Sequence, residues 1–158
     1  MANRTPEGAI REQWERFGKS ALGRRAFSLL LGRIVPYTGT LGAMVEEIRP
    51  GYARASIRDR RKLRNHLRSL HAIALMNLAE LVTGLALNYG MRPDARSILK
   101  GLSIEYTKKA RGTITGEATA PVLESNAERE IEVVGTLRDE AGEVVAVARA
   151  KWLVGPRK

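Results

Sequence analysis

The stretch RDRRKLRNHLRSLHAIALMNLAELVTGLAL, residues 58 to 87, decides how this chain is interpreted. An arginine-rich run gives way within ten residues to an almost unbroken apolar segment that contains one carboxylate, Glu80. A helix that is apolar on nearly every side must be covered on most of its surface. We therefore expect a buried central helix over about residues 70 to 89. Its acid needs an explanation, because burying an unpaired carboxylate is costly.

The segments on either side of this helix alternate with a period of two, which is typical of strands. Two strands are predicted before it, with a turn at Pro50 and Gly51, and four after it. The six predicted strands span residues 44–49, 52–59, 97–108, 113–120, 130–138 and 143–154. A strongly curved antiparallel sheet wrapped around the helix would cover it, which predicts an α+β fold.

The N-terminal part has a different pattern. Residues 8–35 show apolar residues at helical spacing with charged residues between them, so we predict one amphipathic helix outside the sheet. This gives an N-terminal helical extension over residues 1–40, a main domain over residues 41–154 and a frayed tail over residues 155–158.

The composition of the chain limits the chemistry, the location and the partners that we expect for it. The chain has 158 residues, a net charge of +10 and no cysteine. The absence of cysteine excludes disulfides and thiolate metal ligands and fits a reducing, cytoplasmic location. We expect no export signal and no membrane span, because residues 72–87 are shorter than the roughly 20 residues that a span needs. The positive charge favours polyanionic partners.

Two polar residues stand one helical turn apart in the apolar segment, Asn77 and Glu80. A structural interpretation pairs Glu80 with an arginine of the preceding loop or places it at a subunit interface. A functional interpretation makes it a catalytic or binding group. The residues alone leave both interpretations open.

The strand–strand–helix–four-strand order, with NHLRSLHA at residues 65–72 and NLAE at residues 77–80, resembles the hotdog-fold acyl-CoA thioesterase superfamily. The likeness is to its phenylacetate-pathway and 4-hydroxybenzoyl-CoA types and covers about residues 41–154. In those enzymes an Asn or Gln lies six positions before the histidine of a His-Gly-Gly turn. An Asp or Glu on the helix follows that histidine by nine positions. Asn65, His71 and Glu80 stand at these spacings.

The resemblance implies roles for four residues. Glu80 would activate a water molecule or attack the thioester carbonyl directly. The Ala72 N–H, in the first turn of the helix, would hold the oxyanion. Asn65 would orient the water or bond the acyl carbonyl. His71 would shape the turn and contact the thioester, although a purely structural helix-entry histidine is the alternative.

The chain departs from the His-Gly-Gly pattern, with Ala72 and Ile73 in place of the two glycines. We expect Ile73 and Asn77 to contact the substrate. The added bulk supports a second hypothesis, a binding module that keeps an acyl-CoA pocket without turnover. A nucleic-acid binder, suggested by charge alone, ranks third, because only 5% of residues are aromatic and stacking platforms are scarce.

In this interpretation, the arginine-rich run before the helix binds the phosphate groups of the substrate. Guanidinium groups match phosphate oxygens, and coenzyme A carries a pyrophosphate and a 3′-phosphate. We expect this contact from four residues: Arg58, Arg60, Arg61 and Arg64. An acidic acyl carrier protein would be steered by the same charge, and a solvated loop is the plain alternative. The resemblance further implies a homodimer or homotetramer, with no cofactor beyond the coenzyme A of the substrate.

Overall fold

The protein was analysed as a computed structural model that describes residues 6–157, with the side chains of residues 6 and 7 excepted. Four α-helices and six strands follow one another, with a short 3₁₀ helix (Arg61–Leu63) before α4. The helices are α1 (Pro6–Phe17), α2 (Ala21–Ile34), α3 (Pro36–Gly39) and α4 (Ala72–Tyr89). The strands are β1 (Met44–Arg49), β2 (Tyr52–Ile57), β3 (Ala95–Tyr106), β4 (Ile114–Thr119), β5 (Arg129–Arg138) and β6 (Val144–Pro156).

The six strands form one sheet in the order β1-β2-β4-β5-β6-β3, and every neighbouring pair is antiparallel. Gly51, with a positive φ, makes the predicted tight turn between β1 and β2, and Gly142, also with a positive φ, lies in the tight turn between β5 and β6. The predicted α+β arrangement of a sheet wrapped around one helix is confirmed.

The inner face of the sheet carries small residues, which let α4 lie close to it. A methyl group on Gly116 would come within 3.2 Å of Leu78, and one on Gly135 would come equally close to Thr83. Ala53 and Ala55 on β2, and Ala148 and Ala150 on β6, are fully buried. Among the described residues, α4 is the one helix long and apolar enough to cross a membrane, but more than half of it is buried inside the protein.

The N-terminal region differs from the single helix predicted over residues 8–35. It breaks at residues 18–20, where the Gly18 N–H bonds to the Trp14 carbonyl at 2.7 Å and Ser20 caps α2 by accepting from the Gly23 N–H at 3.0 Å. Gly18 and Ser20 are stop and start signals in the sequence, and the amphipathic pattern of the flanking residues hid them.

The extension packs into the same core as the sheet. Trp14 and Phe27 meet edge to face at 5.0 Å, and the Trp14 indole N–H donates to the Ile48 carbonyl of β1 at 2.9 Å. At the other end of the chain, β6 continues to Pro156, which pairs with Ala95. Residues 155 and 156, predicted as a frayed tail, therefore belong to the strand, and residue 158 lies outside the described residues.

Candidate active site

One stripe of α4 is left open by the sheet, and it carries Glu80. Ile73 is 49% exposed and Glu80 is exposed, while Met76 and Gly84 are half-buried. In residues 6–157 the Glu80 carboxylate makes no ion pair, so the structural alternative that pairs it with an arginine of the preceding loop is not realised in the single chain. The expected burial of the acid is also wrong for a single chain, because the curved sheet stops short of this side of the helix.

Glu80 lines a small apolar cavity of about 170 Å³, here called the Glu80 cavity. It lies between α4, the three N-terminal helices and Trp152 of β6. Its lining residues are Ile10, Leu31, Val35, Thr38, Glu80, Leu81, Gly84, Leu85, Asn88, Tyr89 and Trp152. Glu80 is the one ionisable carboxylate in this lining, so it can meet a reacting group in largely apolar surroundings.

Within residues 6–157, the start of α4 leaves one backbone N–H group free. His71 is the N-cap residue, and its Nδ1 accepts from the Ile73 N–H at 3.1 Å. The N–H of Ala72, the first helical residue, meets no acceptor in the described part of the chain. Free N–H groups at a helix start favour negative charge, because the helix dipole adds to them. The exposed His71 ring is thus engaged in capping, which agrees with the structural role weighed from the sequence.

Asn65 organises the loop that leads into α4. Its Oδ1 accepts from the Leu67 N–H at 2.9 Å and from the Ser69 N–H and hydroxyl at 3.3 and 3.2 Å. The loop is tight, and Arg68 within it adopts a φ of 55°. The oxygen of Asn65 is therefore committed to the loop, and only its NH₂ group is left to donate to a ligand.

Asn65 and Ala72 line one groove of about 340 Å³, here called the helix-start groove. The Tyr106 hydroxyl at the end of β3 donates to the Ala72 carbonyl at 2.9 Å and closes one side. Burial raises the pKa of Tyr106, so it stays a neutral donor at physiological pH. The lining residues are Asn65, Leu67, Ser69, Leu70, Ala72, Leu75, Tyr106, Thr107, Lys108, Lys109 and Ala110.

The groove is also lined by three residues that the sequence interpretation missed, Tyr106, Lys108 and Lys109. Lys108 is engaged in ion pairs with Asp139, at 2.7 Å, and with Glu143. Lys109 is exposed and forms no ion pair within residues 6–157. The available signal was the basic run directly after a strand, which sequence spacing alone could not assign to the groove.

The four arginines predicted to bind phosphate fall into two groups. Arg60 Nη2 donates to the Leu41 and Gly42 carbonyls at 2.7 and 3.0 Å, and Arg64 Nε pairs with Asp59 at 2.6 Å. Their guanidinium groups are therefore occupied, at least in part, in holding the fold. Arg58 and Arg61 are exposed, and within the described chain their side chains have no hydrogen bond or ion pair.

Asn77 and Ile73, predicted as substrate contacts, line neither the Glu80 cavity nor the helix-start groove. Asn77 is buried, and its Oδ1 has no hydrogen-bond partner in residues 6–157. An unpaired buried acceptor costs about 1–3 kcal/mol, so a donor that reached it would stabilise the site. No group of three His, Asp or Glu side chains in the described residues is placed to hold a metal ion.

One chain therefore brings Asn65 and Ala72 together but leaves Glu80 in a different cavity. Glu80 follows Ala72 by eight positions in the helix, which corresponds to about 12 Å along the axis. The two cavities share no lining residue. The catalytic set predicted from the sequence is thus divided into two half-sites in each chain.

Comparisons with known proteins identify one matching family and several similar solved structures. The sequence model of the family described as "Domain of unknown function (DUF4442)" matches residues 23–154. A search of curated protein sequences gave no match. A solved structure described only as a genomics target is 27% identical with a TM-score of 0.83, covering 94% of this chain and 99% of that one.

Two further structures are described as thioesterases. A Pseudomonas aeruginosa protein of unknown function, described as a "Probable Thioesterase", is 26% identical with a TM-score of 0.75, covering 82% of this chain and 93% of that one. A Staphylococcus aureus thioesterase is 14% identical with a TM-score of 0.68, covering 77% and 99%. Solved variants of that protein carry a Gln-to-Ala and a Glu-to-Ala substitution, fifteen positions apart.

Proposed function

We propose that this chain, which belongs to the family described as domain of unknown function DUF4442 and has the fold of the hotdog thioesterases, hydrolyses acyl thioesters. The observation that carries the proposal is Glu80. It is an unpaired carboxylate on the open stripe of α4, at the wall of an apolar cavity. The substrate is an acyl-coenzyme A or an acyl carrier thioester, and the reaction takes place in the cytoplasm.

The chemistry follows from the two half-sites. Glu80 takes a proton from a water molecule, whose oxygen attacks the thioester carbonyl carbon. The Ala72 N–H stabilises the negative charge that develops on the carbonyl oxygen. The carbon–sulfur bond then breaks, the leaving thiolate takes the proton held by Glu80, and the carboxylic acid loses its own proton to solvent and is released as a carboxylate. The Asn65 NH₂ group donates to the water or to the acyl oxygen.

Two copies of the chain complete the site in this proposal. The outer edge of β3, twelve residues long, has no strand partner within the described residues. The Tyr106 hydroxyl links this strand to the start of α4. In a two-fold dimer formed through β3, the open stripe of one α4 faces that of the other. Glu80 of one copy can then serve the helix-start groove of its partner. Pairing of two such dimers would give a tetramer.

The departure from the His-Gly-Gly turn is compatible with turnover. Ala72 keeps its backbone N–H, and the Ile73 side chain lies on the open stripe rather than in the helix-start groove. The two substitutions therefore leave the groove open.

The fifteen positions between Asn65 and Glu80 also equal the separation of the two residues replaced in the staphylococcal protein.

Coenzyme A phosphates are held, in this proposal, by the uncommitted cations near the groove. Arg61 opens the 3₁₀ helix whose last residue, Leu63, accepts a hydrogen bond from the His71 N–H at 2.7 Å. Replacing Arg58 and Arg61 with alanine should weaken coenzyme A binding and flatten its salt dependence in calorimetry. A matched control replaces Lys19 and Arg129, two exposed cations that line neither cavity. If the two double variants weaken coenzyme A binding equally, Arg58 and Arg61 do not bind its phosphates specifically.

The test of the function is a hydrolysis screen over acyl-coenzyme A esters of varied length with Glu80→Gln as the control. Glutamine keeps the shape of the side chain but cannot take up the proton, so kcat should fall by about 10²–10⁴. Because Glu80 has no ion-pair partner to lose, its replacement should leave the melting temperature unchanged. Binding of acyl-coenzyme A without hydrolysis by the wild type would instead establish the binding-module alternative.

The shared site has its own test. Glu80→Gln and Ala72→Pro each disable both sites of a homodimer, but a mixed dimer contains one site with two intact halves. Random exchange of subunits should therefore restore about one quarter of the wild-type activity, because half of the dimers are mixed and each has one working site. No recovery after exchange confirmed by mass spectrometry, or a monomer in light scattering, would refute a site shared between copies.

A further inference from the structure

The N-terminal helices bound a second, larger groove that lies next to the Glu80 cavity. This α2 groove has a volume of about 760 Å³ and lies between α2, α3 and the start of β1. It shares Leu31, Thr38 and Leu81 with the Glu80 cavity. The two spaces therefore lie against the same three residues, and a ligand that passes these side chains with its reacting group at Glu80 would enter the α2 groove.

The walls of the α2 groove are held in place by specific contacts. The Ser28 hydroxyl accepts from the Val45 N–H at 2.9 Å, which ties α2 to the edge of β1. Gly32 and Gly39 meet backbone to backbone, because a methyl group on Gly39 would lie only 2.2 Å from the Gly32 carbonyl oxygen. The groove is thus a built feature of the extension, and α3 cannot approach α2 in this way with larger residues.

The lining has the chemistry of an alkyl-binding surface. Leu22, Ala26, Leu29 and Met44 contribute to it, and no carboxylate does. Its only charged members are Arg25 and Arg33, whose methylene stems can cover apolar surface while the guanidinium groups stay in water. Of the residues that line the two spaces, Glu80 is the one carboxylate, and it lines only the Glu80 cavity.

We propose that the α2 groove holds the alkyl chain of the substrate, so that the enzyme prefers medium- and long-chain fatty acyl thioesters. This inference rests on the function proposed for Glu80. A short or single-ring acyl group needs no more than the 170 Å³ of the Glu80 cavity and would leave the groove empty. The volume of the α2 groove lies in the range of pockets that enclose whole ligands. The extension, which the sequence left without a role, thereby sets the chain-length specificity.

The proposal predicts how affinity changes with chain length. Each buried methylene group should strengthen binding about fourfold, until the chain reaches the end of the groove. The probes are thioether analogues of acyl-coenzyme A, in which a CH₂ group replaces the reactive carbonyl, with chains of about four to sixteen carbons. Calorimetry on the full chain measures their dissociation constants.

Two exposed alanines of α2 provide a matched pair of variants. Ala26 lines the groove, and Ala21 on the same helix does not. Ala26→Trp should weaken binding of the longest analogue at least tenfold and leave the shortest unchanged, whereas Ala21→Trp should change neither. Thr38→Phe, at the junction of the two spaces, should move the length cut-off to shorter chains. Circular dichroism and light scattering check that each variant keeps its fold and assembly state.

The outcomes separate this inference from the proposed function. If affinity rises with chain length and Ala26→Trp abolishes this dependence, alkyl-chain binding in the α2 groove is supported. If no thioester is hydrolysed in that case, only the proposed hydrolysis is refuted. An affinity that does not change with chain length, or equal effects of the two tryptophan variants, would refute alkyl-chain binding in the α2 groove. Neither result would bear on whether Glu80 catalyses hydrolysis. A change of assembly state caused by Ala26→Trp, and not by Ala21→Trp, would also overturn alkyl-chain binding, since a second copy would then cover the groove.

Discussion

Replacing Ala72 with proline removes one hydrogen-bond donor from the start of α4 and little else. Ala72 is the first residue of the helix, a position at which proline is favoured because the missing N–H has no partner within the helix. His71 before it has φ −65° and ψ 141°, the extended conformation that a following proline requires. The Ala72 carbonyl, which accepts from Tyr106, is retained.

The expected magnitudes differ sharply between stability and catalysis. Proline at a compatible position stabilises a protein by about 0.4–1 kcal/mol, which for a chain of this length raises the melting temperature by at most ~4 °C. Loss of one oxyanion donor lowers kcat by about 10²–10³, or about 2.7–4 kcal/mol of transition-state stabilisation. A variant that is as stable as the wild type and almost inactive is therefore expected.

The assay is helped by the composition of the chain. Since the protein contains no cysteine, a thiol-specific reagent reports only the coenzyme A released by hydrolysis. Ala72→Ser, which keeps the N–H, is the control and should retain most of the activity. Wild-type kcat in Ala72→Pro would refute the oxyanion role of this N–H. A fall of many degrees in melting temperature would refute the position of Ala72 as the first helical residue.

Three further predictions concern the frame of the site. His71→Ala should cost about 1 kcal/mol and lower the melting temperature by about 2–4 °C, whereas His71→Asn should keep the cap; equal melting of the two would contradict capping by the ring. Gly116→Ala should cost about 1–3 kcal/mol in urea unfolding, because its methyl group meets leucine side chains at 2.8 and 3.2 Å, and Gly101→Ala, in open space, should be neutral. The hydrogen bond from Lys108 holds the pKa of Asp139 below its ordinary value of 3.8. The stability that the Asp139 carboxylate adds to the β5–β6 turn is therefore present above pH 3.8 and is lost as the pH falls through the lowered pKa. An NMR titration midpoint of Asp139 at or above 3.8 would contradict this.

Sequence reasoning was most successful where local pattern and burial coincide. Residues 72–89 are apolar on nearly every side, and only a fold that covers most of a helix can accept them. The alternation of the strands, the glycine turns and the spacing of Asn65, His71 and Glu80 are local properties of the chain. They were sufficient to predict the wrapped helix and to associate Asn65 with the start of α4.

The tertiary structure decided what depends on contacts between distant parts of the chain. The sheet stops short of one side of α4, so Glu80 is open rather than buried, and no local pattern records where a sheet ends. Arg60 is held by two carbonyls some eighteen residues away, while the exposed Arg61 beside it has no such partner. Lys109 reaches the groove of Asn65 only because β3 runs past the start of α4. Local propensity determined which elements form, and the packing of those elements determined which side chains share a cavity.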